Sequence, residues 1–275
     1  MKNLRDFLLE DVGTGDVTTE ALIPDCEAAA EIYAKEACVV AGLAVAGDVF
    51  SGEGLTARKL AGDGAVVRKG DAVMCVAGRA AAILRTERLA LNFIQRMSGI
   101  ATQTRELVDK CRAVNPNIRI AATRKTSPGL RRWEKDAVEL GGGMRHREGL
   151  YDQFLIKDNH LKLVGSVSEA IGRARAHRPD LKVEVEVTDL KMAEEAARAG
   201  ADIIMLDNMK PSGAKKAAAL IRNINHEALV EVSGGITPEN IMMYAGFADI
   251  ISLGSLTHSV RAMDFSLEIV GQQSR

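Results

Sequence analysis

The sequence predicts an α/β protein whose C-terminal part is a closed or nearly closed barrel of parallel strands. The chain of 275 residues is 47% hydrophobic but only 4% aromatic, a composition that suits aliphatic helices packed around a buried parallel sheet. Its first third contains short alternating segments and glycine-rich turns, whereas apolar runs and Ala-rich helical segments alternate from about residue 115 onward. The alternation of apolar runs with helical segments indicates parallel βαβ units.

The N-terminal region is predicted to contain a helix, a hairpin-rich sheet and a second, longer helix. Within residues 1–20, apolar residues recur at helical spacing until Gly13 breaks the pattern. Residues 28–78 contain short alternating segments separated by two Gly-Asp turns, which favours antiparallel hairpins. Residues 80–113 show a long helical pattern that Gly99 is expected to interrupt.

Six apolar runs are predicted to be the strands of the barrel: IRIAA (118–122), FLIK (154–157), VEVEV (183–187), DIIMLD (202–207), LVEVSGG (229–235) and DIISLGS (249–255). An open doubly wound sheet is the alternative, but no G-x-G-x-x-G motif follows an early strand. The tail after Ala262 has a helical pattern and is expected to pack back on the first domain. We therefore place one domain at residues 1–100, together with the helix 262–275, and the barrel at residues 101–261.

The charge distribution indicates a small anionic ligand rather than a nucleic acid. The formal net charge is −1, which gives no reason to expect binding to nucleic acid or to an anionic membrane. Residues 119–147 nevertheless contain eight Lys or Arg and three Asp or Glu, so we expect an anionic partner to be small and bound there. Arg131, Arg132 and Lys135 are interpreted instead as the solvated face of a helix.

The cysteines and the N-terminal segment favour the cytoplasm. The four cysteines, at positions 26, 38, 75 and 111, form neither a C-x-x-C pair nor a His–Cys metal spacing, so isolated reduced thiols are expected. Residues 1–13 carry acidic side chains within a short apolar stretch, which is unlike a signal peptide. No run approaches 18 apolar residues, so no membrane-spanning helix is expected.

Glycine-rich motifs end the last two predicted strands, at the edge where α/β barrels bind ligands. Ser233-Gly234-Gly235 closes one strand and Gly254-Ser255 closes the next. Glycines let backbone N–H groups approach a phosphate, and Thr237-Pro238-Glu239 is a helix-start signal whose N-terminal end favours an anion. We therefore predict a phosphate site at these loops, with tight turns that bind nothing as the alternative.

Basic residues near the same rim predict a carboxylate-binding site. Arg124, His146, Arg147 and Lys157 precede or follow predicted strands. Arginine forms bidentate pairs with planar carboxylates, whereas lysine acts as a point charge. A substrate with two adjacent carboxylates would need several such groups. For His146, which follows a run of three glycines, a purely structural role is equally open.

Glu186 and Asp207 are the acidic residues at the strand ends. Carboxylates at this edge commonly bind sugar hydroxyls or a hydrated Mg²⁺ that is also held by substrate phosphates. Ion pairs with Lys157 or Lys125 are the alternative, and the two interpretations are compatible. Glu184 points to the same side of VEVEV as Glu186 but lies deeper, so contact with a ligand is less expected.

Several motifs resemble those of the quinolinate phosphoribosyltransferase family. The segment TRKTSPGLRRWEKDAVELGGGMRHREGLYDQFLIKDNH (123–160) is similar to the family signature. Further motifs follow in the family's order over nearly the whole chain: EDVGTGDVTT (10–19), ERLALNFIQRMSGIAT (87–102), VEVEV, LDN, SGGI and LTHS. The resemblance implies an N-terminal open α/β sandwich followed by an incomplete, TIM-like α/β barrel. It also implies that quinolinate and phosphoribosyl pyrophosphate give nicotinate mononucleotide, pyrophosphate and CO₂, with Mg²⁺, in NAD biosynthesis.

The resemblance also implies a role for individual residues. Four look like the quinolinate carboxylate site: Arg124, His146, Arg147 and Lys157. Three look like catalytic residues around the ribose, pyrophosphate and metal: Lys125, Glu186 and Asp207, with Glu186 and Asp207 as the Mg²⁺ ligands, directly or through water. The phosphate loops correspond to Ser233, Gly234, Gly235, Gly254 and Ser255, with Thr123 and His258 close by.

The family resemblance further implies a homodimer, and a larger oligomer stays open. Arg88, in the ERLALN motif, resembles an arginine that enters the active site of the partner subunit. Two positions depart from the family pattern: Ala122 stands where an aspartate is usual, and Arg145 where an asparagine is frequent. Neither change removes an expected substrate contact, so activity is expected to be retained, with altered hydrogen bonding.

Three other functions remain as alternatives. A related phosphoribosyltransferase, such as those associated with molybdenum transport, would act on another base, although the intact IKDNH and GLYD motifs disfavour it. An aldolase would use Lys157 at its strand end to form a Schiff base. A non-catalytic barrel would bind phosphate without turnover.

Overall fold

A computed structural model describes residues 3–273 of the chain and the side chains of residues 3–271. The chain divides into two compact units: unit 1 comprises residues 1–105, 127–142 and 259–275, and unit 2 comprises residues 106–126 and 143–258. Every helix in the described part of the chain is too short or too polar to cross a membrane.

The elements through the long helix are α1 (Leu4–Val12), α2 (Val17–Leu22), β1 (Glu27–Ala34), β2 (Cys38–Val39), α3 (Leu43–Gly52), β3 (Thr56–Lys59), β4 (Val66–Val67), β5 (Ala72–Arg79) and α4 (Ala80–Arg112). They are followed by β6 (Arg119–Ala121), α5 (Arg131–Leu140), β7 (Phe154–Ile156), α6 (Asp158–Val164), α7 (Val167–His177), β8 (Val183–Val187), α8 (Leu190–Arg198), β9 (Ile203–Asp207), α9 (Pro211–Ile224), β10 (Leu229–Ser233), α10 (Met242–Ala245), β11 (Ile250–Ser252), α11 (Ser255–His258) and β12 (Phe265–Gln273).

Unit 1 contains an antiparallel sheet with the strand order β12-β1-β5-β3 and a small antiparallel pair, β2-β4. Strand β1 alternates half-buried and buried positions, so that its Ala28, Ala30 and Ile32 side chains enter the core. The predicted hairpin-rich sheet is therefore confirmed, as are the first helix, which ends at Gly13 (φ +54°), and the long helix α4.

The chain after Ala262 is a strand, so the predicted C-terminal helix 262–275 is wrong over the residues that the structure describes; Ser274 and Arg275 lie outside them. Strand β12 pairs antiparallel with β1, with Phe265 opposite Ala34. The sequence FSLEIV contains β-branched and aromatic residues that suit either element, and the open edge of β1 decides in favour of a strand because it offers backbone hydrogen bonds.

Helix α3 was not predicted, because the signal that starts it is not local. Its first residue follows Gly42, which provides no side-chain cap. Instead, the carboxylate of Asp63 accepts hydrogen bonds from the backbone N–H groups of Leu43 and Ala44 at 2.8 and 3.0 Å. A cap supplied from twenty residues away satisfies the helix N-terminus as well as a local one does.

Gly99 does not interrupt α4, contrary to the prediction. A Cβ atom at this position would lie 2.2 Å from the backbone oxygen of Arg261. The glycine is therefore needed because another segment of unit 1 passes close to the helix, and packing offsets its low helix propensity of about 1 kcal/mol.

The division into units differs from the predicted domain boundary at residues 100–101, because residues 127–142 belong to unit 1. Helix α5 carries Glu134, a buried residue whose carboxylate pairs with Arg96 of α4. The interpretation of α5 as presenting Lys135 to solvent is also wrong, since this side chain is fully buried. Arg132, by contrast, is exposed as predicted.

Unit 2 contains all six predicted barrel strands, in one parallel sheet with the order β6-β11-β10-β9-β8-β7. From β7 to β11 each strand lies beside its successor, and the series ends against β6. Such a one-directional order is that of a barrel rather than of a doubly wound sheet, which would reverse direction. The described strands do not close into a ring, although Met144 bridges Ala121 of β6. The α/β fold class is confirmed.

Candidate functional site

A cavity of about 590 Å³ lies at the carboxyl ends of the unit 2 strands. Eleven of the residues predicted to bind ligand line it: Thr123, Arg124, Lys125, His146, Arg147, Lys157, Glu186, Asp207, Ser233, Gly234 and Gly235. The prediction that basic residues, carboxylates and one glycine loop meet at one edge of the sheet thus agrees with the geometry. Four predicted site residues lie elsewhere: Arg88, Gly254, Ser255 and His258.

The alternation of side chains along each strand determines which of these residues point into the cavity. Along β10, Leu229, Glu231 and Ser233 point into the barrel in succession, because alternate residues of a strand face the same side. Leu229 packs against an apolar cluster that includes Ile203 of β9. Glu231 and Ser233 line the cavity above it. The interior therefore changes from apolar at the amino ends of the strands to polar at their carboxyl ends.

The basic side of the cavity holds two arginines of different exposure. Arg147 is only 7% exposed, whereas Arg124 is exposed to solvent. Burial lowers the pKa of Arg147, and the positive charge of Arg124 lowers it further, while Glu184 and Asp152 act in the opposite direction. Because these two partly desolvated cations repel each other, binding of an anion between them is favourable.

Lys157 forms a close ion pair with Glu186, as the sequence analysis allowed. The pair joins the ends of β7 and β8, and the lysine side chain remains 44% exposed. The contact holds the Nζ atom of Lys157 against the Glu186 carboxylate instead of leaving it free to attack a carbonyl. This contact disfavours the aldolase alternative.

The floor of the cavity contains a buried cluster that the sequence analysis did not identify. The Nε2 atom of His146 lies 3.0 Å from Oε2 of Glu231 and 3.5 Å from Oε2 of Glu184. Both carboxylates are fully buried, and the Gln153 side chain donates to Glu184 at 2.6 Å. His146 adopts a left-handed backbone conformation (φ +56°), which is uncommon outside glycine.

One oxygen of each buried glutamate lacks a hydrogen-bond partner among residues 3–273, namely Oε1 of Glu184 and Oε1 of Glu231. Burial, followed by the negative charge of Glu231, raises the pKa of Glu184 to about 8, and His146 and Arg147 act in the opposite direction. The signal for Glu231 was present in the sequence, because the alternation of LVEVS places it two residues before Ser233.

The acidic side of the cavity is held by a tight turn. Asn208, with φ +54°, donates a hydrogen bond from its side chain to Asp207 Oδ2 at 2.7 Å. A Cβ atom on Gly234 (φ +78°) would lie 2.6 Å from Asp207 Oδ1. Gly234 is thus required both by its conformation and by the approach of Asp207. Asn208 lines the cavity and was not among the predicted site residues.

Gly254, Ser255 and His258 are not part of the lining of this cavity. A Cβ atom on Gly254 would lie 2.7 Å from Cδ of Lys125 and 2.9 Å from Nε2 of His258, so the glycine lets the lysine side chain pass. The hydroxyl of Thr257 donates to the backbone oxygen of Lys125 at 2.7 Å. This segment therefore positions Lys125.

The helix predicted to start at Thr237 begins later. Thr237 and Asn240 form a turn, in which the Thr237 N–H donates to the Asn240 side chain at 2.9 Å, and α10 runs only from Met242 to Ala245. A four-residue helix separated from the strand end by residues 234–241 has little macrodipole to offer a ligand. The backbone N–H groups of the glycine loop remain as possible phosphate donors.

Arg88 is exposed on α4 and lines a different cavity, of about 380 Å³, that lies within unit 1. This cavity also contains Phe7, Glu10 and Arg96. The role of Arg88 in the site of a partner subunit therefore remains a prediction.

The described residues contain one group of three side chains arranged as metal ligands, which is His146, Glu184 and Glu231. The predicted magnesium ligands, Glu186 and Asp207, are two oxygen donors on the cavity wall. Mg²⁺ usually takes one or two carboxylates and completes its shell with water and substrate phosphates. The donor chemistry of this pair therefore fits a magnesium ion that arrives with a phosphorylated substrate.

Comparisons with known proteins identify relatives over the whole chain. The family model described as quinolinate phosphoribosyl transferase, N-terminal domain, matches residues 16–98, and the C-terminal domain model matches residues 100–268. A probable nicotinate-nucleotide pyrophosphorylase (carboxylating) from Methanocaldococcus jannaschii is 45% identical, with 99% of this chain and 98% of the relative covered. The protein of the same name from Bacillus subtilis is 44% identical, with 98% and 92% covered.

Solved structures give the same result. NadC from Streptococcus pyogenes is 42% identical, with a TM-score of 0.90 over 98% of this chain and 95% of the other. The nicotinate-nucleotide pyrophosphorylase from Francisella tularensis is 35% identical, with a TM-score of 0.91 over 97% and 94%. The motifs, the fold, the family models and these relatives together show that the chain belongs to the quinolinate phosphoribosyltransferase family.

Proposed function

We propose that this protein transfers the phosphoribosyl group of phosphoribosyl pyrophosphate to quinolinate, with release of pyrophosphate and CO₂, and so forms nicotinate mononucleotide for NAD synthesis. The observation that carries the proposal is the single cavity in which Arg124, Arg147 and Lys157 face Glu186 and Asp207. A doubly charged aromatic acid and a sugar phosphate require these two kinds of surface side by side.

Quinolinate would occupy the basic side of the cavity. Arg124 and Arg147 can each bind a carboxylate through two N–H groups, and the dianion would relieve their mutual repulsion. His146 and Lys157 complete this side. Holding the planar ring by both carboxylates directs its nitrogen toward the sugar, which removes much of the entropic cost of bringing two substrates together.

Phosphoribosyl pyrophosphate would occupy the acidic side and the glycine loop. Backbone N–H groups of Gly234 and Gly235 can bind the 5′-phosphate. The hydroxyl of Ser252 lines the cavity and has no partner in the described part of the chain, so it is available to a phosphate or ribose oxygen. Glu186 and Asp207 would orient the ribose hydroxyls, and Lys125 would neutralise the departing pyrophosphate.

Glu186 and Asp207 would also hold Mg²⁺, directly or through water, and the ion would supply charge neutralisation to the pyrophosphate. The residues of the chain act on the two substrates. Breaking the bond between ribose C1 and the pyrophosphate oxygen builds positive charge on the sugar, which the carboxylates of the cavity can stabilise. After the ring nitrogen bonds to C1, its positive charge stabilises the electron pair left on ring C2 when the 2-carboxylate departs as CO₂, and C2 then takes a proton from water.

The active form is proposed to be a homodimer in which Arg88 completes the site of the partner subunit. Subunit mixing tests this arrangement. Arg88→Ala and Arg147→Ala homodimers should each be nearly inactive. A mixture in which the subunits exchange should regain activity, because one site of each heterodimer then carries both arginines. Absence of recovery, with exchange demonstrated by a tagged subunit, would exclude a shared site.

The proposed function is tested by pyrophosphate release with quinolinate and with nicotinate as alternative acceptors. Quinolinate should support turnover with one CO₂ per pyrophosphate, and nicotinate should not. A preference for nicotinate or for another base would indicate a related transferase with a different substrate. Binding of both ligands without turnover would indicate a non-catalytic barrel.

A further inference from the structure

The buried cluster of His146, Glu184 and Glu231 places two carboxylates close to one imidazole nitrogen. A neutral histidine needs no such pair of negative groups. His146 lines the cavity, and its Nε2 atom lies within hydrogen-bond distance of Glu231, 3.0 Å away. Glu231 is fully buried, and its second oxygen has no partner among residues 3–273. A buried carboxylate with so few donors is stabilised chiefly by a charged partner.

We propose that Glu231 is a positioning residue that acts as the counter-ion of His146, keeping its imidazole protonated so that it presents a positive charge to the carboxylates of the substrate. The inference rests on the proposed function, because the affinity for quinolinate is one of its readouts. Glu231 reaches the lining of the cavity, but in this arrangement its effect on the substrate is exerted through the histidine.

Glu231 is better suited to this role than its neighbour Glu184. Glu184 lies farther from the imidazole nitrogen, at 3.5 Å, and the same oxygen accepts a 2.6 Å hydrogen bond from Gln153. Glu231 is bound to the histidine at 3.0 Å. The attraction between opposite charges falls with distance, so the nearer carboxylate contributes more.

The other charged groups around the cavity make such a counter-ion necessary. Arg147, Arg124 and Lys125 add positive potential, which disfavours a further cation on His146. The carboxylate of Glu186 is paired with Lys157, and Asp207 accepts a hydrogen bond from the side chain of Asn208. An unperturbed imidazole loses its proton near about pH 6.5. The carboxylate of Glu231, 3.0 Å from the imidazole nitrogen, offsets this positive potential at the ring.

The test is the pH profile of kcat/KM for quinolinate in the full-length enzyme and in Glu231→Gln, which keeps the shape and removes the charge. In the wild type, kcat/KM should fall as the histidine deprotonates, with a midpoint more than about one pH unit above the unperturbed value. In Glu231→Gln this midpoint should move to lower pH by about one unit, and KM for quinolinate near pH 8 should rise about tenfold. KM for phosphoribosyl pyrophosphate should change less than about twofold.

A double-mutant cycle separates this role from a structural one. His146→Gln should abolish the basic limb of the profile, and adding Glu231→Gln to it should weaken quinolinate no further. The proposal is overturned if Glu231→Gln has the same effect in both backgrounds, or if both substrates weaken equally. Should Glu231→Gln fail to fold, a basic limb that persists unchanged in His146→Gln overturns it as well.

Two measurements do not depend on turnover. The chain has five histidines, so histidine-labelled protein gives a resolvable NMR titration in which the signal lost in His146→Gln is assigned. The midpoint of that signal should lie about one pH unit lower in Glu231→Gln than in the wild type. A tightly bound zinc or manganese ion at one per chain after chelator dialysis, lost in Glu231→Gln, would overturn the proposal, because the imidazole would then be a metal ligand. If quinolinate gives no turnover while the NMR result holds, the proposed function fails and the counter-ion remains.

Discussion

Two buried polar networks, one in each unit, contain similar groups but differ in how fully their carboxylates are hydrogen-bonded. In unit 1, Glu134 is 1% exposed, with one oxygen bound to Arg96 and the other accepting the backbone N–H of Ser127 at 3.1 Å. In unit 2, Glu184 and Glu231 each retain one oxygen without a partner among the described residues. An unsatisfied buried oxygen costs free energy. The first network therefore suits a stabilising role, and we infer that the second, which bears this cost beside the cavity, has a role in function.

The largest expected effect is the loss of stability when the fully hydrogen-bonded network around Glu134 is broken. Glu134→Ala removes the buried partner of Arg96 and should lower the free energy of unfolding by about 3–5 kcal/mol. Urea denaturation measures it. Arg132→Ala, which changes an exposed side chain on the same helix, should stay within about 0.5 kcal/mol of the wild type. Equal effects of the two changes would remove the stabilising role assigned to Glu134.

In unit 2 the expected loss is in binding rather than in folding. Arg147→Ala should weaken quinolinate by about 2–5 kcal/mol, because it removes a largely desolvated guanidinium from one carboxylate. The affinity for phosphoribosyl pyrophosphate should change far less, and isothermal titration with each ligand measures both. Equal weakening of the two ligands would show that the division of the cavity into two sides is wrong.

The glycine loop offers a matched pair of substitutions. Gly234 and Gly235 both have positive φ, at +78° and +62°, so alanine costs about 1–2 kcal/mol of backbone strain at either position. A Cβ on Gly234 would in addition lie 2.6 Å from both Asp207 Oδ1 and Asn208 Cγ, whereas on Gly235 the nearest atom, Oδ1 of Asn208, is 3.7 Å away. Gly234→Ala should therefore raise KM for phosphoribosyl pyrophosphate clearly more than Gly235→Ala. Similar KM values in the two variants would mean that binding of this substrate does not depend on the present positions of Asp207 and Asn208.

Much of unit 2 could be predicted from the sequence, and the reason is local. Fully buried parallel strands read as short β-branched runs between amphipathic helices, so β8 and β9 coincide with VEVEV and DIIMLD almost residue for residue. The alternation of inward and outward residues along LVEVS also predicts that Glu231 points into the barrel. From the sequence, this alternation was used only for Glu184 and Glu186. The residues at the strand ends were found because barrels bind ligands there.

The features that could not be predicted depend on distant segments. Helix α3 receives its cap from Asp63, and strand β12 forms because β1 offers an open edge. The contact of Gln153 with Glu184 requires the segment after His146 to return to the barrel interior. No local pattern encodes these pairings, because each partner is acceptable in several other environments.

A further prediction tests whether the network of Glu184 and Glu231 carries a proton. Burial and the charge of Glu231 raise the pKa of Glu184 from 4.5 to about 8. Between these pH values the folded protein retains a proton that the unfolded chain has lost, so stability falls as pH rises from about 4.5 to about 8. The slope is at most about 1.4 kcal/mol per pH unit for one proton.

Glu184→Gln should remove this part of the slope, because an amide is neutral at every pH in the range. Urea midpoints of the wild type and the variant, at several pH values across the range, measure it. Glu194→Gln, which alters an exposed i,i+4 pair with Arg198, should keep the wild-type slope. If Glu184→Gln also keeps it, Glu184 is ionised at neutral pH. Two adjacent buried anions would then need compensation from His146, Arg147 and Lys157. The contrast between the two networks would then lie in charge rather than in hydrogen bonding.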